Sequence, residues 1–305
     1  MILVFGSGGQ LGQELISRAG ASGVSLTGLT RAQADIADPA DVEKALSDLR
    51  PSLVVNAGAY TKVDRAEAEE AEAFRANAGG PETLALACAA AGLPLIHIST
   101  DYVFDGTKAG AYREDDPIAP LGVYGRSKAA GEDLIRRHLP QHVILRTSWV
   151  YGVYGANFLK TILRLAAERD ELRIVADQRG CPTSTADLAS AILTAAQRIR
   201  TGEALYGTYH FAGAGATTWY GFACRIVEAQ KPSTGRSPRV VPIETKDYPT
   251  PARRPANSEL DSSRFGQTFG YTARSWSEAV DEAVAQLLSP QTMTVAPKAG
   301  RAGRH

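Results

Sequence analysis

The chain has 305 residues with 33 acidic and 33 basic side chains, so no overall field draws it to nucleic acid or an anionic membrane surface. No segment approaches the roughly 20 uninterrupted apolar residues of a bilayer span, and the N-terminus enters ILVFG with no charged leader or cleavage site, so a cytoplasmic protein is expected. Three scattered cysteines, Cys88, Cys181 and Cys224, form neither a metal set nor a disulfide framework and suit a reducing compartment.

In chain order, ILVFG (2–6) precedes a helical pattern at 10–19, and VSLTGL (24–29) precedes a helix opening near Pro39. LVVNAGA (53–59) leads into an Ala- and Glu-rich helical stretch expected to break around Gly79–Pro81. PLIHIS (94–99), a helix from about 124 and HVILRTS (142–148) follow. Short apolar runs alternating with amphipathic helices predict an α/β fold: a doubly wound parallel sheet of the Rossmann type. Beyond about residue 150 the pattern is less regular. The expected organisation is a dinucleotide-binding domain over 1–150, rejoined by segments within about 171–213, a smaller α/β C-terminal substrate-binding lobe over 151–290, and a disordered tail over 291–305.

GSGGQLG (6–12) follows the first strand and opens the first helix. Gly6, Gly9 and Gly12 permit a tight turn, close approach to a pyrophosphate and tight helix–strand packing, with the helix N-terminus favouring the anion. The second strand ends at Leu29, Thr30 and Arg31, where an acidic residue would receive the ribose hydroxyl of NAD. Arg31 suits a 2′-phosphate instead, which favours NADPH with NADH still possible; the bland reading is a solvated arginine. Asp35 reads either as a neighbour of the adenine amino group or as a helix cap before Pro39. The strand ends at Ala57–Thr61 and Ile98–Thr100 are expected to line the same crevice, which places Ala57 and Ile98 against the cofactor.

STDYVFDG (99–106) closes another strand, and Tyr124 and Lys128 follow. Helical i,i+4 spacing puts the two on one face, and a nearby ammonium would lower the phenol's pKa enough for acid/base work. No other of the 11 tyrosines has a lysine four residues on. His97, inside an apolar strand, reads as a satisfied core histidine. Trp149 reads as a substrate contact or a core cap. Arg253 and Arg254 read as forked grips for a diphosphate or as solvated loop charges.

With these motifs, and with NAGAYTKVDRAE, APLGVYGRSK, RTSWVYG, DQRGCPT and PTPARRPANS, the chain resembles the extended short-chain dehydrogenases/reductases, and among them the dTDP-4-dehydrorhamnose reductase family. The resemblance implies reduction of a nucleotide-sugar C4 ketone. It makes Tyr124 the proton donor, Lys128 its tuner and a ligand of the nicotinamide ribose, and Thr100 a hydrogen-bond partner of the reacting oxygen. It implies that Gly9, Gln10, Leu11, Asp35, Ile36, Ala59, Tyr60 and Thr61 contact the dinucleotide, and that Asp101 and Trp149 contact the deoxysugar. Some relatives dimerise through Mg2+ held by C-terminal glutamates; no such ligands are matched here, so the expectation is a monomer or homodimer without an assigned metal site. A dehydratase needs Thr-Asp-Glu where this chain has Thr100, Asp101 and Tyr102. A reductase or epimerase of another dTDP-hexose and a non-catalytic regulatory subunit of a methionine adenosyltransferase are the rival readings.

Overall fold

The computed structural model describes residues 1–289; the tail expected over 291–305 lies outside the described residues. Five strands, β1 (Ile2–Phe5), β2 (Leu26–Leu29), β3 (Leu53–Asn56), β4 (Leu95–Thr100) and β5 (His142–Thr147), are joined by a sixth, Gly207–His210. The sheet runs from the sixth strand through β5, β4, β3 and β1 to β2, every neighbouring pair parallel.

Alternation along each strand builds a core on both faces. Ile2, Val4, Leu53 and Val55 meet Leu11, Leu15, Leu188 and Ile192 of helices Gln10–Ala21 and Thr185–Arg200. Leu3, Phe5 and Val54 point the other way, onto Val42, Leu46, Leu84 and Ile135 of helices Pro39–Leu49, Gly80–Ala91 and Val123–His138. Phe5 stands level with Leu29 and Asn56, and Thr100 with Thr147, so the carboxyl ends of the strands open together along one edge.

The helical stretch after β3 does not break at Gly79–Pro81. It passes through a wide π turn, Arg75–Gly79, straight into helix Gly80–Ala91. Pro81 lies in that helix's first turn, directly after the π turn. The interruption falls earlier, between helices Val63–Ala66 and Glu70–Phe74. The helix cap before Pro39 is Asp38, whose side chain accepts from the N–H groups of Ala40 and Asp41, and not Asp35.

Of the segments expected to return to the sheet, Gly207–His210 lies in it, whereas Glu171–Val175 pairs with Arg239–Ile243 away from it. There helices Phe158–Glu168, Trp219–Thr234 and Trp276–Leu287 enclose a separate apolar cluster around Tyr151, Leu172, Phe222, Ile226 and Val280.

Candidate active site

At the carboxyl edge of the sheet two cavities of about 610 and 480 Å3 meet at Gly8, Gly9, Ala57, Gly58, Ala59 and Thr61. The loop after β1 forms their floor. Gly6 has φ +85°, and a Cβ there would stand 2.4 Å from Gly58 N. Only glycine fits that crossing of two loops. Gly12 does not line the cavities; a Cβ on it would stand 2.4 Å from Gly6 O, so its role is to let the helix seat against the loop. Helix Gln10–Ala21 begins at Gly9 with no side-chain cap, which leaves first-turn N–H groups free for an anion. A dinucleotide fits this floor.

The smaller cavity is bordered by Gly6, Arg31, Asp35, Ile36, Tyr60, Glu69 and Glu72. Arg31 is already paired, to Glu72 at 2.8 Å and to Asp35 at 3.6 Å. Asp35 also receives Arg75 at 2.8 Å. The Arg31 side chain is 67% exposed, so these pairs are screened by solvent and ions. Asn77, carried on the π turn, accepts from Tyr60 N at 2.8 Å and donates to Tyr60 O and Ser127 Oγ at 3.0 Å. It ties the Ala59–Thr61 loop to the helix that bears Tyr124, a placement typical of functional π turns.

The larger cavity holds the reacting groups. Gln10, Leu11, Ile98, Thr100, Asp101, Tyr124, Lys128 and Trp149 line it. Thr100 donates to Asp101 Oδ1 at 3.0 Å and is hydrogen-bonded to Tyr124. Burial pushes the Tyr124 phenol up to about 12; its bond with Thr100 opposes the rise and the Asp101 charge adds to it. Burial likewise pushes the Asp101 carboxyl up to about 6, against hydrogen bonds from Ser258 and Thr100. Lys128 is pulled down to about 8 by burial, opposed by Glu132 one turn on. Lys128 Nζ donates to Ile98 O at 2.6 Å and meets His97 Nε2 at 3.2 Å.

Trp149 takes a left-handed backbone, φ +47°, which costs a bulky residue about 1–2 kcal/mol. Its ring is held by Trp219, stacked at 3.6 Å with 9° between planes. The sequence motif TTW (217–219) marks Trp219, 70 positions away, but assigns it no role; its stacking on Trp149 is a tertiary pairing. Sequence reasoning missed Thr147, whose buried Oγ1 has no hydrogen-bond partner, although the strand-end rule that found Thr100 applies to it equally. Arg253 and Arg254 do not line either cavity. Arg254 is bound to Asp64 at 2.8 Å, and Arg253 is exposed. Among the described residues no group of three or more His, Cys, Asp or Glu stands where it could hold a metal ion, so Mg2+ gains no support. No helix among them is long and apolar enough to cross a membrane.

A parallel sheet with a glycine floor, and with a half-buried Tyr124 beside buried Lys128 and Thr100 at its carboxyl edge, defines a Rossmann-type oxidoreductase. Residues 1–289 match the family model described as RmlD substrate binding domain. The chain is 44% identical to the dTDP-4-dehydrorhamnose reductase of Sinorhizobium fredii over 94% of its own length and 97% of the relative's. It superposes with a TM-score of 0.87 on the crystal structure of the Clostridium acetobutylicum dTDP-4-dehydrorhamnose reductase, 36% identical, covering 94% of this chain and 99% of that one. With the Bacillus anthracis dTDP-4-dehydrorhamnose reductase, solved in complex with NADP, the TM-score is 0.86 at 34% identity, covering 93% and 98%. The chain belongs to this family, that of the dTDP-4-dehydrorhamnose reductases.

Proposed function

We propose that the chain reduces the C4 ketone of dTDP-4-dehydro-β-L-rhamnose to dTDP-β-L-rhamnose, with Tyr124 as the proton donor. The observation that carries this reading is one continuous crevice, with the glycine floor in its middle and Tyr124, Thr100 and Lys128 together at one end. The dinucleotide would lie along Gly6, Gly9, Gln10 and Leu11, between Asp35–Ile36 at one end and Ile98 and Lys128 at the other. When bound, NADPH supplies the hydride.

As the ketone oxygen gains charge, Tyr124 hands it a proton, so no alkoxide builds up in a low-dielectric pocket. A phenol held near 12 is reliably protonated at neutral pH, as a donor must be. Thr100 orients both the phenol and the oxygen. Lys128, four residues on along the same helix face, offers positive charge to the phenolate as the proton leaves. Asp101 accepts from a sugar hydroxyl, and the Trp149–Trp219 stack gives the deoxysugar a flat apolar wall.

Elimination chemistry lacks a base here. The position after Asp101 is Tyr102, whose ring packs edge-on to Tyr124 at 5.4 Å and whose phenol burial pushes far above the ordinary range. NADPH over NADH is supported by Arg31 at the smaller cavity and by the NADP complex of the Bacillus anthracis relative.

The test is NADPH oxidation followed by absorbance with the dehydrorhamnose substrate prepared in situ, and C4 stereochemistry of the product by NMR. Substrate-dependent oxidation giving the rhamnose configuration is expected. The other C4 configuration would assign the chain to a different hexose, and no oxidation with cofactor still bound would remove the catalytic reading.

A further inference from the structure

His97 lies in β4, three residues before Thr100, with no exposed surface. Its Nε2 stands 3.2 Å from Lys128 Nζ, and its Nδ1 stands 3.0 Å from Asn56 Nδ2. The direction of this chain is set at its far end. The Gly58 backbone N–H can only donate, and it donates to Asn56 Oδ1 at 3.0 Å. Asn56 therefore presents its NH2 to the ring, Nδ1 accepts, and a neutral imidazole carries its proton on Nε2, facing the lysine. The opposite direction would set the Asn56 NH2 against the Gly58 N–H, donor against donor. The ring itself is neutral: burial holds it well below the ordinary histidine value, with the charges of Lys128 and His142 adding to that.

An N–H aimed at Nζ repels an ammonium and donates to the lone pair of an amine. We infer that His97 is a positioning residue for the proton-transfer pair, which through the one-way chain Gly58–Asn56–His97 favours the neutral amine of Lys128 and fixes Nζ beside Ile98 O. The inference rests on the roles given above to Tyr124 and Lys128.

The other groups around Nζ do not supply this effect. Tyr124 lies one turn back on the same helix. Glu132, one turn on, raises the lysine's hold on its proton, and is itself gripped by Arg146 of β5 and by Arg136. Asp101 lies just beyond β4, and β3 contributes only the uncharged Asn56. The π turn contributes Asn77, also uncharged, and helix Thr185–Arg200 contributes Leu188.

Turnover needs the ammonium form to neutralise the phenolate left by Tyr124, so it falls as pH rises through the lysine's value. Removing the His97 N–H strengthens the lysine's hold on its proton and moves that fall upward. In His97→Leu, which has no N–H to offer, the basic limb of the kcat/KM profile, which reports the free enzyme, is expected to rise by about one pH unit, roughly one pKa unit of altered interaction. Asn56→Asp reaches the same end with the ring retained. Its carboxylate still accepts from Gly58, now takes the Nδ1 proton, and turns the Nε2 lone pair toward the lysine.

A purely structural role for His97 would lower activity at every pH and leave the limb in place. NMR titration of protein labelled with 13C at lysine Cε, with Lys128 assigned by Lys128→Arg, reads the same quantity without turnover. Failure of the Tyr124 reading would leave that measurement intact. A wild-type Lys128 that titrates below the ordinary lysine range, and moves up in either variant, supports the inference. A wild-type Lys128 with an ordinary lysine value overturns it, as does an unmoved titration in a folded variant.

Discussion

The two ends of the crevice hold similar inventories of charge and use them differently. At the deep end Lys128, Asp101 and the Glu132–Arg146 pair are nearly sealed from water. At the outer end Arg31, Glu72, Arg75 and Asp35 form a chain of ion pairs in contact with solvent. Burial moves Asp101 up and Lys128 down by amounts that change their chemistry near neutral pH. At the outer end an exposed, screened cation can exchange one anion for another, as a binding site for a ribose phosphate requires. The contrast teaches that one crevice can separate reaction from recognition by how deeply its charged side chains are buried.

The largest effect should come from the dry end. Tyr124→Phe is expected to lower kcat by about 10²–10⁴-fold, the usual worth of a positioned general acid, while NADPH binding followed by nicotinamide fluorescence is retained. A near-normal rate would remove Tyr124 from the chemistry and leave the contrast without its active partner.

Next is Glu132→Ala. Its two oxygens receive Arg146 at 2.9 and 2.7 Å, with side-chain exposures of 0% and 1%. Stripping one partner from such a pair leaves a buried charge and costs about 3–5 kcal/mol, read as a lower urea midpoint. A loss below about 1 kcal/mol would mean that this region is wetter than its burial implies.

Asp101→Asn should sharpen the comparison through pH. The folded protein raises Asp101 from 3.8 to about 6, so it binds that proton more tightly than the unfolded chain does. Its contribution to stability is therefore full below about pH 4 and is lost as pH rises through about 6. The asparagine variant should lose less stability between those values and be more stable at pH 7 by on the order of 2–3 kcal/mol, with weaker sugar binding. Urea melts at pH 4 and 7 check it; parallel losses in both proteins would put Asp101 in contact with water.

The smallest change belongs to the wet end. Arg31→Asp should alter stability by less than about 0.5 kcal/mol, yet shift the kcat/KM ratio toward NADH, by an amount that shrinks as salt is added. Unchanged cofactor preference would return Arg31 to the status of a solvated surface charge.

Much of this was legible in the sequence, and the residues show why. The glycine floor, the parallel sheet and the Tyr124–Lys128 face are local patterns, since spacing of 2.0 or 3.6 residues and the steric demands of Gly6 act over a few neighbours. What the tertiary structure decided is pairing across distance. Trp219 comes to lie on Trp149, Asp64 pairs with Arg254, and Glu72 pairs with Arg31. The π turn that carries Asn77 to the Tyr60 loop replaces an expected break. Lys128 is the clearest case. Its place on the helix is local, but Ile98 and His97, about thirty residues back, decide where its Nζ points, and burial among distant strands lowers its hold on the proton. Periodicity places a backbone; desolvation and hydrogen-bond direction, which set the chemistry, exist only once distant strands have been brought together.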